Sequence, residues 1–249
     1  LFAPGGRLLD SRVITTGLKE FKVVGKEFYL NGNPYFLRGY GDDIIYPQTI
    51  MPEAARKEGY TASILRAKEF GFNAARHHSH FPLSAYLDEA DRLGLLVQPE
   101  LAMSNECYRG INAESEALFK SEWINLILKN RNHPCIMAWC GGNEQEWGYP
   151  FENELYDIAK ELDPTRPATS TDGYYLAKDI RRCNDYASLV YYDYVDTLPV
   201  FEDINMYTRD ISGKPQLVHE MGNYKTVENI HDIEKYDACV VKPDWLLSV

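Results

Sequence analysis

Arg131-Asn132-His133-Pro134-Cys135-Ile136-Met137-Ala138-Trp139-Cys140-Gly141-Gly142-Asn143-Glu144 holds an apolar run of strand length, Ile136 to Trp139, that ends in two glycines, an amide and a carboxyl. The pattern predicts a buried strand with Asn143 and Glu144 at its C-terminal end. Farther along, Pro215-Gln216-Leu217-Val218-His219-Glu220-Met221-Gly222 repeats it, an apolar strand that delivers Glu220 at its end. Two carboxyls on the C-terminal ends of two buried strands suit glycosidic bond cleavage. One protonates the leaving oxygen; the other attacks the sugar carbon or activates water. The competing reading of Glu144 is a helix N-cap, where a carboxylate favours the positive end of the following helix.

Working outward, strand and helix patterns alternate. Glu27 to Leu30 and Tyr35 to Arg38 flank Asn31-Gly32-Asn33-Pro34, which reads as a tight turn between two strands. Helical spacing over Thr61 to Phe70 stops at Gly71, and a second helix from Pro82 to Leu93 stops at Gly94. The short strand Phe72 to Arg76 lies between them, and Leu95 to Glu100 is the next. Glu114 to Lys129 is the longest helix, with Leu118, Trp123, Ile127 and Leu128 as its expected apolar stripe. After the strand Ile136 to Cys140 come a helix over Glu152 to Leu162 and strands at Ala168 to Thr171, Ser188 to Tyr192 and Gln216 to His219. Alternation of this kind implies a parallel sheet with crossover helices. Polar residues end many of the strands, and no Gly-x-Gly-x-x-Gly follows the first. Both points favour an α/β barrel, (β/α)8, over a doubly wound sheet. An eighth strand is not identifiable beyond a weak candidate, Cys239 to Val241, so the barrel is expected to be incomplete at its C-terminal end.

Composition narrows the classes. The 249 residues are 45% hydrophobic, enough for one large core. Eighteen tyrosines and four tryptophans suit the apolar faces of sugars, although core packing accounts for most such rings. A formal charge of −11 argues against a nucleic-acid surface, which draws on clustered Lys and Arg. No apolar run of membrane-spanning length occurs. The cysteines, Cys107, Cys135, Cys140, Cys183 and Cys239, show neither a disulfide framework nor a CxxC metal spacing, and packing is the expected role of Cys140. Leu1 to Gly6 is no signal peptide and reads as the middle of something longer. Localisation is open.

RNHPCIMAWCGGNE resembles the acid/base motif of glycoside hydrolase family 2, which includes β-galactosidases, β-glucuronidases and β-mannosidases. FYLNGNPYFLRG (28–39) resembles that family's entry into its barrel, and FNAARHHSHFPLSAYLDEADRLGLLVQPE (72–100) its second and third strands. QLVHEMGN (216–223) resembles the segment bearing the nucleophile. The resemblance implies a TIM barrel and double displacement with retention, with Glu144 as acid/base and Glu220 as nucleophile. It implies that Asn143 bonds the sugar 2-hydroxyl, that Arg76 keeps Glu220 ionised and that His80 contacts the sugar. Tyr192 is the expected aromatic partner of the nucleophile, with Tyr191 and Tyr194 as alternatives. Glu100 is either a sugar contact or an ion-pair partner. That chemistry requires neither metal nor organic cofactor, and the expected partner is a carbohydrate. Residues 1–22 are expected to be the remnant of a preceding β-sandwich domain or a linker, and 23–249 a truncated barrel whose open edges invite self-association.

Two rival readings stand beside this one. His78-x-His80 has a plausible metal-ligand spacing and could serve a metal-dependent hydrolase. A non-catalytic sugar-binding or structural module of the same fold is the other. Arg109 could meet a uronate carboxylate but reads more simply as a surface arginine. The sugar itself and exo versus endo cutting stay undetermined.

Overall fold

The first elements form a small antiparallel sheet: β1 (Phe21–Val24) pairs with β2 (Glu27–Leu30), and β2 with β3 (Asn33–Pro34). Asn31 and Gly32 connect β2 to β3 with φ of 51° and 81°, the left-handed pair that Asn-Gly adopts in a primed hairpin turn. The turn is thus shorter than the sequence suggests. The partner strand is Asn33–Pro34, and no strand forms over Tyr35 to Arg38. The next strand is β4 (Gly39–Asp42). The expected boundary between residues 22 and 23 falls inside β1. The structure is a computed structural model that describes residues 1–11, 13, 16–43, 57–104, 111–145, 149–173, 184–191 and 213–221.

From β4 onward the alternation read from the sequence holds. The strands are β5 (Ala74–His77), β6 (Leu96–Pro99), β7 (Trp139–Cys140), β8 (Ala168–Thr169), β9 (Ala187–Tyr191) and β10 (Gln216–Met221). The helices are α1 (Lys57–Glu69), α2 (Ser84–Leu93), α3 (Ala113–Asn130) and α4 (Tyr149–Leu162). Pairing is parallel from β4 to β5 to β6, from β7 to β8 and from β9 to β10. Parallel bridges Val97–Ile136 and Glu100–Cys140 carry the sheet from β6 to β7. Asp185, just ahead of β9, donates its N–H to Ala168 O on β8 at 2.8 Å. The candidate eighth strand, Cys239 to Val241, lies outside the described residues.

Side-chain alternation along these strands separates two environments. On β5, Ala75 faces the helices, whereas Ala74 joins an inner cluster with Leu96, Met137, Ala138 and Tyr186. On β6, Val97 packs outward, and Leu96, Gln98 and Glu100 step up the inside. The interior is therefore apolar at the N-terminal ends of the strands and polar at their C-terminal ends. Phe21 and Phe28 of the antiparallel sheet complete the apolar layer, stacked at 5.5 Å, with Phe28 edge-on to Tyr186 at 5.7 Å. The hairpin thus floors the barrel.

Outside, Trp139 joins sheet to helices: it lies edge-on to Trp123 of α3 at 5.9 Å, and its Nε1 donates to Asp163 Oδ2 at 3.0 Å. α3 opens on Asn112, whose side chain accepts from the Glu114 and Ser115 amides in a capping box. Of its expected stripe, Trp123 and Ile127 are buried, but Leu118 (66%) and Leu128 (44%) are exposed, because α3 touches the barrel along a narrower line than the spacing implied. α2 ends as expected at Gly94, in the left-handed conformation, its N–H on Ala90 O. Among the described residues no helix is long and apolar enough to cross a membrane.

Candidate active site

Arg76 is the hub of the polar layer. The pleat of β5 turns it inward between β4 and β6, and the side chain is 9% exposed. Nε donates to Glu100 Oε1 at 2.6 Å, Nη2 to Asn143 Oδ1 at 2.6 Å, and Nη1 to Glu220 Oε1 at 3.1 Å. Asp172 Oδ2 stands 2.8 Å from the same Nε. Strands distant in sequence thereby meet on one guanidinium. Burial alone would lower its pKa, but the charges of Glu100 and Asp172 outweigh that and raise it, so Arg76 stays a cation.

Glu144 and Asn143 follow β7 through two glycines that the packing demands. A Cβ on Gly141 would sit 2.5 Å from Ser170 O, and one on Gly142 would sit 2.8 Å from Met103 O. The chain then pins itself to both neighbours: Asn143 N–H donates to Met103 O at 2.8 Å, and Glu144 N–H to Asp172 O at 2.7 Å. Glu144 takes φ 45°, left-handed for a residue with a Cβ, and is 7% exposed. A conformation of this kind costs on the order of 1 kcal/mol or more and persists only where surroundings enforce it. Glu144 precedes α4 by several residues and lies outside that helix.

Glu220 arrives by a different device. β10 pairs with β9 in regular register up to Val218, and the register shifts before Glu220, a bulge at His219. Without the bulge, successive residues would face opposite sides of the sheet. With it, His219 Nε2 lies 3.5 Å from Glu220 Oε1. A donor atom from each of Glu144, His219 and Glu220 lies within 4.8 Å of the others. Gly173 makes room beneath them, since a Cβ there would meet Glu144 Cγ at 3.0 Å and His219 Cε1 at 2.6 Å.

The carboxyls differ in charge. His219 and then Arg76 hold Glu220 down at about 2, so it is ionised over the whole neutral range. Full burial pushes Glu100 up to about 8 despite Arg76, and the nearby Asp172 adds to the rise. Glu100 also accepts the Ser79 amide at 2.7 Å. Cys140 is a buried free thiol that donates to Gly142 O at 3.2 Å, beside Glu100 and Asp172.

Of the residues expected at the site, Arg76, Glu100, Asn143, Glu144 and Glu220 converge. His80 stands apart, because His77 faces outward against Tyr86 of α2 and His80 follows it: its Nε2 lies 3.0 Å from His77 Nδ1 and its Nδ1 3.0 Å from His78 O. The histidine beside the hub is His78, with Nδ1 3.1 Å from Arg76 Nη2. His78 and His80 therefore face different partners and do not share a donor cluster among the described residues. Tyr192, Tyr194 and Arg109 lie outside the described residues, and Tyr191 ends β9. Asp172 and His219 were not singled out by the sequence, and His78 was singled out only as a metal-ligand candidate. The only signal for Asp172 was the Thr171-Asp172-Gly173 run after a short strand.

The chain is 33% identical over 198 residues to a β-galactosidase of Thermoanaerobacter pseudethanolicus, an alignment covering 77% of this chain and 25% of that protein. It therefore spans a quarter of that relative's length. A β-galactosidase of Pectobacterium atrosepticum is 30% identical over 171 residues, 65% of this chain and 16% of that one. Among solved structures, a family 2 β-galacturonidase from Eisenbergiella tayi bound to galacturonate superposes with a TM-score of 0.68 at 26% identity, covering 85% of this chain and 41% of that one. A β-glucuronidase from Ruminococcus gnavus, at 20% identity, shares the fold with a TM-score of 0.72 over 93% of this chain and 43% of its own. Residues 21–242 match the family model for the TIM barrel domain of glycosyl hydrolases family 2, and the chain belongs to that family.

Proposed function

We propose that this barrel catalyses retaining hydrolysis of a β-glycoside, with Glu220 as nucleophile and Glu144 as acid/base. The observation that carries the proposal is the approach of the two carboxyls: an oxygen of Glu144 and one of Glu220 lie within 4.8 Å of each other. Retaining enzymes place their carboxyls about 5–5.5 Å apart, whereas inverting enzymes leave about 6.5–9.5 Å for a water.

The charge of Glu220 supports its role as nucleophile. A nucleophile must be an anion, and Glu220 is one at any pH above about 2. In the first step a Glu220 oxygen bonds the anomeric carbon as the glycosidic bond breaks, and the Glu144 proton passes to the leaving oxygen. In the second, water attacks the same carbon, gives its proton to Glu144 and releases Glu220 as carboxylate. Asn143, its Oδ1 on Arg76, has its amide NH₂ set for the sugar 2-hydroxyl. Arg76 is already engaged by Glu100, Asp172 and Glu220, and so is not offered to a uronate. The aligned relatives at 30–33% identity are β-galactosidases, so an aryl β-galactoside is the first substrate to assay, followed by the β-glucuronide and β-galacturonide.

Substitution separates the two roles. Glu220→Gln should abolish formation of a covalent intermediate on every substrate. Glu144→Gln should spare the first step for dinitrophenyl glycosides, which need no proton on departure. Equal loss on good and poor leaving groups in both variants would contradict the assignment.

A further inference from the structure

A chain of buried polar side chains crosses the barrel beneath the two carboxyls. Tyr186 Oη donates to Gln98 Oε1 at 2.9 Å, Gln98 Nε2 donates to Asp172 Oδ2 at 2.6 Å, and that oxygen faces Arg76 Nε at 2.8 Å. Tyr186, Gln98 and Asp172 are at most 1% exposed. Arg76 extends the chain to Glu220 and Asn143.

Asp172 occupies a singular place in it. Two carboxyl oxygens, from Glu100 and Asp172, converge on Arg76 Nε, which has one N–H; Glu100 accepts it, and Asp172 acts on the same edge through its charge. A guanidinium is a rigid plane. Fixing its Nε edge therefore aims Nη1 at Glu220 and Nη2 at Asn143. The main chain of the same residue serves the other carboxyl. Asp172 O accepts the Glu144 N–H at 2.7 Å, and Asp172 N–H donates to Gly142 O at 2.8 Å, bracketing the left-handed turn at Glu144.

We infer that Asp172 is a positioning residue for both carboxyls: its side chain sets Arg76 against Glu220, and its main chain holds Glu144 in its left-handed turn. The inference rests on the roles proposed above for Glu144 and Glu220. Asp172 is fully buried and acts through Arg76 and the Glu144 main chain. Its contribution is geometric and electrostatic, and a misplacement of about 1 Å at such a site can cost about 10²-fold in rate.

The test is a double-mutant cycle in the full-length protein. Asp172→Asn keeps the size, the main chain and an acceptor for Gln98 but removes the charge facing Arg76. On the glycoside that the wild type turns over, kcat should fall by about 10²-fold with KM changed by no more than about threefold. In an Arg76→Gln background the same substitution should cost less than about threefold, because residues acting through one another are not additive. A side chain that merely stabilised the fold would give the same loss in both backgrounds, and that result overturns the inference. So does an Asp172→Asn variant with wild-type kcat. Should that variant fail to fold, Gln98→Met, which removes the donor that holds Asp172, takes its place in the cycle with the same expected non-additivity. A wild type inactive on all three glycosides overturns the parent reading and this inference with it, whereas an active wild type indifferent to Asp172 overturns this inference alone.

Discussion

Glu100→Gln should flatten one part of the stability–pH curve while leaving the fold intact. Glu100 is fully buried, and burial raises its carboxyl from 4.5 to about 8. Between those values the folded chain holds a proton that the unfolded chain has released. Stability is therefore complete below 4.5 and declines as pH rises towards about 8. About 3.5 pH units at about 1.4 kcal/mol each give about 5 kcal/mol as the upper limit of the decline. Glutamine mimics the protonated acid in shape and charge; its carbonyl can still accept from Arg76 Nε, and its NH₂ replaces the oxygen that accepts the Ser79 amide, a loss that does not vary with pH. Urea unfolding of wild type and variant across this window supplies the difference curve. The variant should gain on the wild type steadily as pH increases. A difference that is flat, or that grows in the opposite direction, would refute the idea that Glu100 is the proton-holding member of the cluster.

Lys19→Met should act on the alkaline side. Burial lowers the Lys19 amine from 10.5 to about 7, so the unfolded state binds the extra proton between those values and wild-type stability rises with pH there; thermal melts of the variant should lack that rise. Gly141→Ala should cost about 1–3 kcal/mol by overpacking, since its Cβ would lie 2.5 Å from Ser170 O, and should lower activity along with the melting temperature. Asn112→Ala, which removes the side-chain acceptor for two amides of α3, should cost about 1 kcal/mol by chemical denaturation with kcat unchanged.

Much of this site was legible in the sequence because strand ends are local signals. Apolar runs punctuated by glycines located Asn143 and Glu144, and the register of Gln216 to Glu220 located Glu220. The period-two pleat of β5 and β6 accounts for Arg76 and Glu100. What escaped was decided across strands. Nothing local announces the bulge at His219, a misfit between β9 and β10. Asp172 gains its place from Gln98 and Arg76, which are remote in sequence. His80 went astray because the strand ends at His77, whose ring faces α2 and draws His80 after it, leaving His78 at the hub. The displaced first strand has a similar cause. Gly39–Asp42 has poor strand propensity, yet it forms β4 because β5 offers it a full parallel register, from Gly39 opposite Ala74 to Asp42 opposite His77.

The central claim is that Glu220 becomes covalently bonded to the sugar while Glu144 manages the proton. The most direct measurement is mass spectrometry of the peptide containing Glu220 after brief exposure of the protein to a 2-fluoro dinitrophenyl β-glycoside of the sugar it cleaves, a reagent that slows release of the intermediate. The account predicts a glycosyl ester on Glu220, formed as activity disappears and absent from Glu220→Gln. Turnover without any ester, or an ester on Glu100 or Glu144, would contradict it.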